Sequence, residues 1–223
     1  MILCLGVVLK MRDYKKHFID FALRHEVLRF GKFELKSGRL SPYFFNTGFF
    51  NSGAALARLA DFYASAIIAS EIDFDLIFGP AYKGIPLGAA ITIAFSNKYN
   101  RDIPYAFNRK EVKDHGEGGQ TFGAALKGRV LIVDDVISAG TSVGESLIII
   151  ENENAVAAGV MISLDRQERG SGKVSAIDDV TRRYKIPVYS IVTLDDIIEF
   201  LADSGNWKSE IDAIKDYRSQ YGV

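Results

Sequence analysis

The stretch VLIVDDVISAGTS, Val130 to Ser142, passes from four apolar residues through two adjacent acids, Asp134 and Asp135, into a turn of small and hydroxylated residues. Val130, Leu131, Ile132 and Val133 have the length and branching of a strand buried on both faces. Ser138, Ala139, Gly140, Thr141 and Ser142 lead into a helix, and the first-turn N–H groups of a helix have no intrahelical acceptor. Those N–H groups, the positive end of the helix dipole and the hydroxyls together make a place for a phosphate. The pattern is not the Walker loop, since no Gly-Lys-Ser/Thr follows, nor the dinucleotide fingerprint, since G-x-G-x-x-G is absent. An acidic pair would repel a bare phosphate, yet carboxylates accept hydrogen bonds from sugar hydroxyls. A ribose 5-phosphate suits both halves, with its phosphate in the turn and its hydroxyls on the acids. Alone, two acids could merely end a strand while Ser or Thr caps a helix; the whole string points to a ligand.

Outward from this segment the same rhythm repeats: DLIFG, then a helical stretch from Ile85 to Asn97; PYAF; VLIV, then a helix from about Ser142; VMISL; and VYSIV, then Leu194 to Ala202. Alternating buried strands and helices predict an α/β fold, a central parallel sheet flanked by helices, with ligands beyond the carboxyl ends of the strands. Before this region, Phe18, Phe21, Ala22, Val27 and Leu28 recur at helical spacing and predict an amphipathic N-terminal helix. LKSGRLSPYFFN reads as a turn at Ser37-Gly38 followed by a short extended segment, because Pro42 opposes a continuous helix. Residues 54–70 read as a second helix.

The 223 residues, 48% hydrophobic and 25% charged, suffice for one globular domain with a sizeable core. A net charge of −1 gives no global attraction for nucleic acid or a membrane surface, so anion binding has to be local. The single cysteine, Cys4, cannot form an internal disulfide, which suits a reducing, cytoplasmic setting. The opening MILCLGVVLK is apolar but has no preceding basic region and is about half the length of a membrane span. Residues 1–11 are read as an extension of unknown role, a mis-chosen start or a dispensable tail, and residues 12–223 as a single domain.

Other stretches follow other strands. FGPAYKGIPLG sets Lys83 between small residues at a helix entrance, where an ammonium and backbone N–H groups could hold pyrophosphate, with Gly79 and Gly84 permitting close main-chain approach. NRKEVKDHGEGGQTFGAALKG is long, polar and Gly-rich, and loops of that length inside a domain are usually functional or disordered. Arg109, Lys110, Lys113 and His115 make it a basic arm able to close over a polyanion, although Glu111, Asp114 and Glu117 nearly balance the cations of what could be a solvated hairpin. Adjacent Phe44 and Phe45 should point to opposite faces of their extended segment. Arg166, just past VMISL, has the planar fork that matches a carboxylate.

In order and spacing, LKSGRLSPYFFNTG, FGPAYKGIP, FNRKEVKDHGEGG, VDDVISAGTS and ISLDRQERG resemble the bacterial orotate phosphoribosyltransferases, of the type I phosphoribosyltransferase family, and the likeness runs from about Arg12 to Val223. The resemblance implies that fold with a small N-terminal hood, and transfer of the 5-phosphoribosyl group from phosphoribosyl pyrophosphate to orotate, yielding orotidine 5′-phosphate and pyrophosphate in pyrimidine (UMP) synthesis. It further implies Mg2+ carried on substrate oxygens with no direct protein ligand, and a cytoplasmic homodimer whose loop 109–119 completes the partner's site, with no nucleic-acid or membrane partner. Carried over by residue, Asp134 and Asp135 face the ribose hydroxyls. Val136, Ile137, Ser138, Ala139, Gly140, Thr141 and Ser142 line the substrate, the last five taking the 5-phosphate. Lys36, Tyr82 and Lys83 contact phosphoribosyl pyrophosphate. Arg109, Lys113 and His115 reach the neighbouring subunit's site, while Lys110 acts on its own side. Phe44 and Phe45 resemble the segment beside the orotate ring, where one can fill the core while the other, or its backbone, meets the base, and Arg166 resembles the residue that pairs with the orotate carboxylate. Lys83, Lys110, Lys113, Asp134 and Asp135 form the implied catalytic set.

Two departures stand out: Ser138 replaces the usual threonine, and the N-terminal extension has no counterpart. The expected chemistry is direct displacement at the anomeric carbon through a transition state of oxocarbenium character, driven by positioning and charge stabilisation. The competing readings are a phosphoribosyltransferase for another base, which Arg166 and the FF segment oppose, and a non-catalytic sensor of phosphoribosyl pyrophosphate, which would need a nucleic-acid-binding surface that is not evident.

Overall fold

The computed structural model describes residues 12–35, 37–110, 120–137, 140–170, 172 and 174–223. The extension 1–11, Lys36, the loop residues Lys113 and His115, and Ser138 and Ala139 lie outside the described residues.

A six-stranded sheet forms the centre, in the order β5 (Thr121–Gly123), β4 (Tyr105–Asn108), β3 (Leu76–Gly79), β6 (Arg129–Val133), β7 (Val156–Asp165), β8 (Val188–Thr193). All neighbours run parallel except β5, which pairs antiparallel with β4. Strand alternation divides β6 between two cores, because successive side chains point to opposite faces. Leu131 and Val133 join one cluster with α1 (Asp13–Arg24), α2 (Gly53–Ser70), α3 (Gly84–Tyr99), α6 (Leu194–Ser204) and α7 (Lys208–Tyr221). Val130 and Ile132 join the other, with α4 (Thr141–Asn152) and α5 (Ala176–Tyr184). Both faces are therefore covered, as the uninterrupted apolar run requires. The acids that follow the run stand where the cover ends.

A separate antiparallel hairpin, β1 (Leu28–Glu34) with β2 (Leu40–Phe45), makes the N-terminal hood. Its turn holds Gly38 at φ 77°, with the Gly38 N–H donating to the Leu35 carbonyl at 2.8 Å. Aromatic contacts seat the hairpin on α7: Phe30 against Trp207 at 5.2 Å and Tyr43 edge-on to Tyr217 at 6.4 Å. A groove of about 650 Å³ between hairpin and helix is lined by Phe30, Leu40, Ser41, Pro42, Tyr217 and Tyr221, among others.

The N-terminal helix is shorter than its spacing predicts. It stops at Arg24, the chain turns through Glu26 at φ 55°, and Leu28 already pairs with Phe45. Val27 and Leu28 are buried nonetheless, so apolar spacing carried across a tight turn mimicked a longer helix. Among the described residues no helix is long and apolar enough to cross a membrane.

Candidate functional site

The carboxyl ends of β3 and β6 are adjacent, since Phe78 pairs with Ile132, and the segments leaving them meet. After β3 the chain turns through Pro80–Lys83 into α3, and the turn is tight enough to exclude side chains: a Cβ on Gly79 would lie 2.0 Å from the Gly84 carbonyl oxygen. The required glycines thus bring main chain against main chain within the protein. The Gly84 N–H donates to the Pro80 carbonyl at 3.0 Å, and the Ala81–Tyr82 peptide is cis. This turn aims Lys83 across the crevice, its Nζ donating to Asp135 Oδ2 at 2.5 Å and to Asn46 Oδ1 at 3.4 Å.

Asp135 is 8% exposed and also accepts from Thr47 Oγ1 at 3.2 Å, while its carbonyl accepts from the Ser163 N–H and hydroxyl of β7. Asp134 faces the other way. Its Oδ1 accepts the Asp135 N–H at 2.8 Å, its Oδ2 accepts the Ser142 hydroxyl at 2.9 Å, and its carbonyl accepts the Tyr63 hydroxyl of α2 at 2.8 Å. Burial, with the neighbouring charge of Asp135, pushes the Asp134 carboxyl up to about 6 from 3.8, even though the Asp135 N–H and the Ser142 hydroxyl hold it down. The two acids are therefore not equivalent. Asp135 is matched to a cation, and Asp134 is a partly desolvated acceptor beside the turn.

The turn itself has Gly140 at φ 71°, a conformation that side chains rarely adopt, and α4 begins there with no side-chain cap. The first N–H groups of a helix have no intrahelical acceptor, and such a start suits an anion. Val136 and Ile137 are partly buried and pack against opposite cores. Thr141 is exposed and Ser142 is half-buried, beside Asp134.

The basic loop is anchored by strand pairing. Asn108 pairs with Thr121, and the Arg109 N–H donates to the Gln120 carbonyl at 3.0 Å. The guanidinium of Arg109 stacks 3.7 Å from the Phe122 ring centre, and Lys110 Nζ lies 5.1 Å from that of exposed Tyr82. Lys110 and the Tyr82–Lys83 turn thus share one side of the crevice.

Arg166 leaves β7 on the hood side. Its Nε and Nη2 donate to Glu168 Oε1 at 2.9 and 2.7 Å, its Nη2 also approaches Ser41 Oγ at 3.2 Å, and the guanidinium lies 4.2 Å from the Tyr43 ring centre. Ser41, Tyr43 and Phe45 share the inward face of β2; Phe45 packs on the core near Phe18. Phe44 points the other way, 5.4 Å from Phe33 and under the Arg29 guanidinium. The two rings do point apart, but in this arrangement neither is paired with Arg166.

Sequence reasoning missed several residues of the crevice. Asn46 and Thr47 follow the FF segment directly and bond to Lys83 and Asp135. Asn108, buried at the end of β4, accepts the Ala81 N–H at 2.8 Å and so fixes the lysine turn; a polar residue closing the apolar run YAF was its one signal. Tyr63 lies inside an apolar helix and left no signal. Among the described residues no three His, Cys, Asp or Glu side chains converge as a metal cage. The carboxylates at hand, Asp134 and Asp135, are hard oxygen donors of the sort magnesium accepts alongside phosphate oxygens and water.

Comparison with known proteins agrees with this geometry. Residues 50–192 match the phosphoribosyl transferase domain family. The chain is 60% identical over 215 residues to orotate phosphoribosyltransferase of Stutzerimonas stutzeri, covering 96% of this chain and all of the relative. It is 57% identical over 213 residues to that of Pseudomonas aeruginosa, with the same coverage. The crystal structure of orotate phosphoribosyltransferase from Francisella tularensis superposes with a TM-score of 0.85 at 47% identity, over 93% of this chain and all of that one. A strand-end acid pair, a lysine turn and an anion-binding helix start are features that unrelated sheets could share, but identity at this level over the full length of the relatives is not, and the chain belongs to the orotate phosphoribosyltransferases.

Proposed function

We propose that residues 12–223 act as one domain that transfers the 5-phosphoribosyl group from phosphoribosyl pyrophosphate to orotate, giving orotidine 5′-phosphate and pyrophosphate. The observation that carries this reading is the convergence of Lys83 on Asp135 beside the uncapped start of α4. The turn from Ser138 to Ser142 takes the 5-phosphate on main-chain N–H groups and hydroxyls. Asp134 and Asp135 accept from the ribose hydroxyls, and Lys83 exchanges part of its contact with Asp135 for the pyrophosphate. Lys36 and Tyr82 add contacts to the same substrate. Arg166 reads the orotate carboxylate, with the Phe44–Phe45 segment beside the ring.

At the anomeric carbon a bond forms to the base nitrogen as the bond to pyrophosphate oxygen breaks. The leaving group takes the electron pair, and the base nitrogen releases its proton. Positive charge builds on the ribose and negative charge on pyrophosphate, so the cations Lys83, Lys110 and Lys113 act chiefly on the departing group. Magnesium, for which Asp134 and Asp135 are the carboxylates at hand, would supply further neutralisation of that charge. Arg109, Lys113 and His115 serve the partner's site in a homodimer, and closure of loop 109–119 keeps water from the reacting carbon. The single cysteine and the family's biosynthetic role support a cytoplasmic enzyme.

The test is to mix the protein with magnesium, phosphoribosyl pyrophosphate and orotate and follow loss of orotate absorbance. Turnover with orotate and none with adenine or uracil is the expected result. Turnover with a purine alone would overturn the base assignment, and tight phosphoribosyl pyrophosphate binding without turnover of any base would overturn catalysis.

A further inference from the structure

Outside the crevice, the carboxylate of Glu168 is bonded by three other side chains. Its side chain is 11% exposed, and it gathers hydrogen bonds from Arg166, two residues away, and from two tyrosines on distant segments. Oε1 takes both Nε and Nη2 of Arg166 and also the Tyr43 hydroxyl at 2.8 Å. Oε2 takes the Tyr217 hydroxyl of α7 at 3.1 Å. Burial holds the Tyr43 hydroxyl well above the usual phenol range, so it stays a donor at every working pH.

The same segment is held along its main chain. Glu168 bridges to Gly222, the Arg169 N–H donates to the Tyr221 carbonyl at 2.8 Å, and the Val223 N–H donates to the Gln167 carbonyl at 3.2 Å. Arg39 of the hood donates to the Arg169 and Gly170 carbonyls at 2.7 and 3.0 Å while stacking 4.9 Å from the Tyr221 ring centre.

A guanidinium can present two edges, and recognition of a carboxylate needs one of them held in a fixed direction. Glu168 occupies the Nε–Nη2 edge and Ser41 Oγ lies 3.2 Å from Nη2, and together these contacts fix the plane in which the guanidinium is presented. We propose that Glu168 is the positioning residue that orients Arg166 for the carboxylate of the base, and that Tyr217 extends this control to the C-terminal helix. The proposal rests on the reading of Arg166 as the carboxylate partner. It assigns to α7 a part in choosing the base.

Four proteins test it by steady-state kinetics with each substrate varied: wild type, Glu168→Gln, Arg166→Ala and the double variant. Gln fills the same space and keeps an acceptor but removes the charge that fixes the arginine. Loss of such a charge-assisted contact should raise the orotate KM about tenfold or more, with kcat and the phosphoribosyl pyrophosphate KM changed less than about threefold. In the Arg166→Ala background the same substitution should do nothing further, because the group it acts through is gone. An equal rise in both KM values, or an undiminished effect of Glu168→Gln in the double variant, overturns the positioning role and leaves Arg166 as the reader. An unchanged orotate KM in Arg166→Ala alone sinks the reading of Arg166, and the proposal with it. Should Glu168→Gln fail to fold, Tyr217→Phe carries the same test: it removes one donor at the rim, should raise the orotate KM alone about threefold, and should be silent in the Arg166→Ala background. A Tyr217→Phe protein with wild-type orotate KM would overturn the extension to α7.

Discussion

Replacing Asp134 by asparagine should give a protein that is harder to unfold and poor at turnover. An acid whose carboxyl is raised from 3.8 to about 6 on folding holds its proton longer in the native state than in the unfolded one. Between those two values the native protein binds more protons, so stability falls as pH rises through that window and stays reduced above it. A difference of about two units corresponds to roughly 3 kcal/mol lost near pH 8. Asparagine removes the ionisation while keeping the acceptor for the Asp135 N–H, and the Ser142 hydroxyl can rotate to accept from the new amide. Burying that amide has its own cost, which leaves an expected gain of about 1–2 kcal/mol at pH 8, shrinking toward zero by about pH 4. Urea unfolding of the substrate-free proteins at a series of pH values measures it directly. Turnover moves the other way, falling about tenfold or more at pH 8, because an ionised acceptor for a ribose hydroxyl is lost. A variant no more stable than wild type at pH 8, or a gain that persists unchanged in acid, would refute the desolvation argument. Activity within about twofold of wild type would remove Asp134 from the ribose contact.

Asn108→Ala strips the acceptor from the Ala81 N–H at a buried position; it should cost about 1–3 kcal/mol in thermal or urea unfolding and raise the KM for phosphoribosyl pyrophosphate more than that for orotate. Gly84→Ala would set a Cβ 2.6 Å from Pro80 Cδ and should either unfold the protein or pry the lysine turn open, seen as a lowered Tm together with loss of phosphoribosyl pyrophosphate binding in calorimetry. If Lys113 serves the partner's site, inactive Lys113→Ala and inactive Asp134→Asn/Asp135→Asn homodimers, mixed under exchange conditions, should regain about a quarter of wild-type activity; confirmed exchange without recovery would put the loop in its own subunit.

The parts of the fold that were readable in the sequence are those where one physical demand dominates. Buried parallel strands need unbroken apolar runs, so β3, β6, β7 and β8 announced themselves, as did the acids and small residues that close β6. The elements that stayed hidden answer to several demands at once. In β1, an irregular register between Phe30 and Phe33 around Gly31 breaks the alternation that marks a strand. Only Ile214 and Tyr217 of α7 are buried, and α5 buries Val180 alone, so their charged faces swamp the apolar signal. The strand β5 is three residues long, and pairing with β4 rather than any propensity makes it a strand. Within the site, residue types with an obvious partner among ligands, such as Lys83, Asp135 and Arg166, could be picked out singly. Asn46, Thr47, Asn108 and Glu168 could not, because their role is to bond to those residues, and that depends on which chain segments the fold brings side by side.

The bonds from Tyr217, Tyr221 and Gly222 to the segment behind Arg166 also fix an order of events in synthesis. Tyr217 lies 49 residues beyond Glu168 in the chain. At a translation rate of about 5–20 residues per second, a nascent chain carries Arg166 and Glu168 for roughly 2–10 seconds before that tyrosine exists to bond to them. The strands β3, β4 and β6 and the lysine turn precede β7 in the chain, and the acid pair is tied to β7 through Met161 and Ser163. The sugar-phosphate half of the crevice can thus be complete once β7 has joined, and the half that holds Arg166 closes only when α7 arrives.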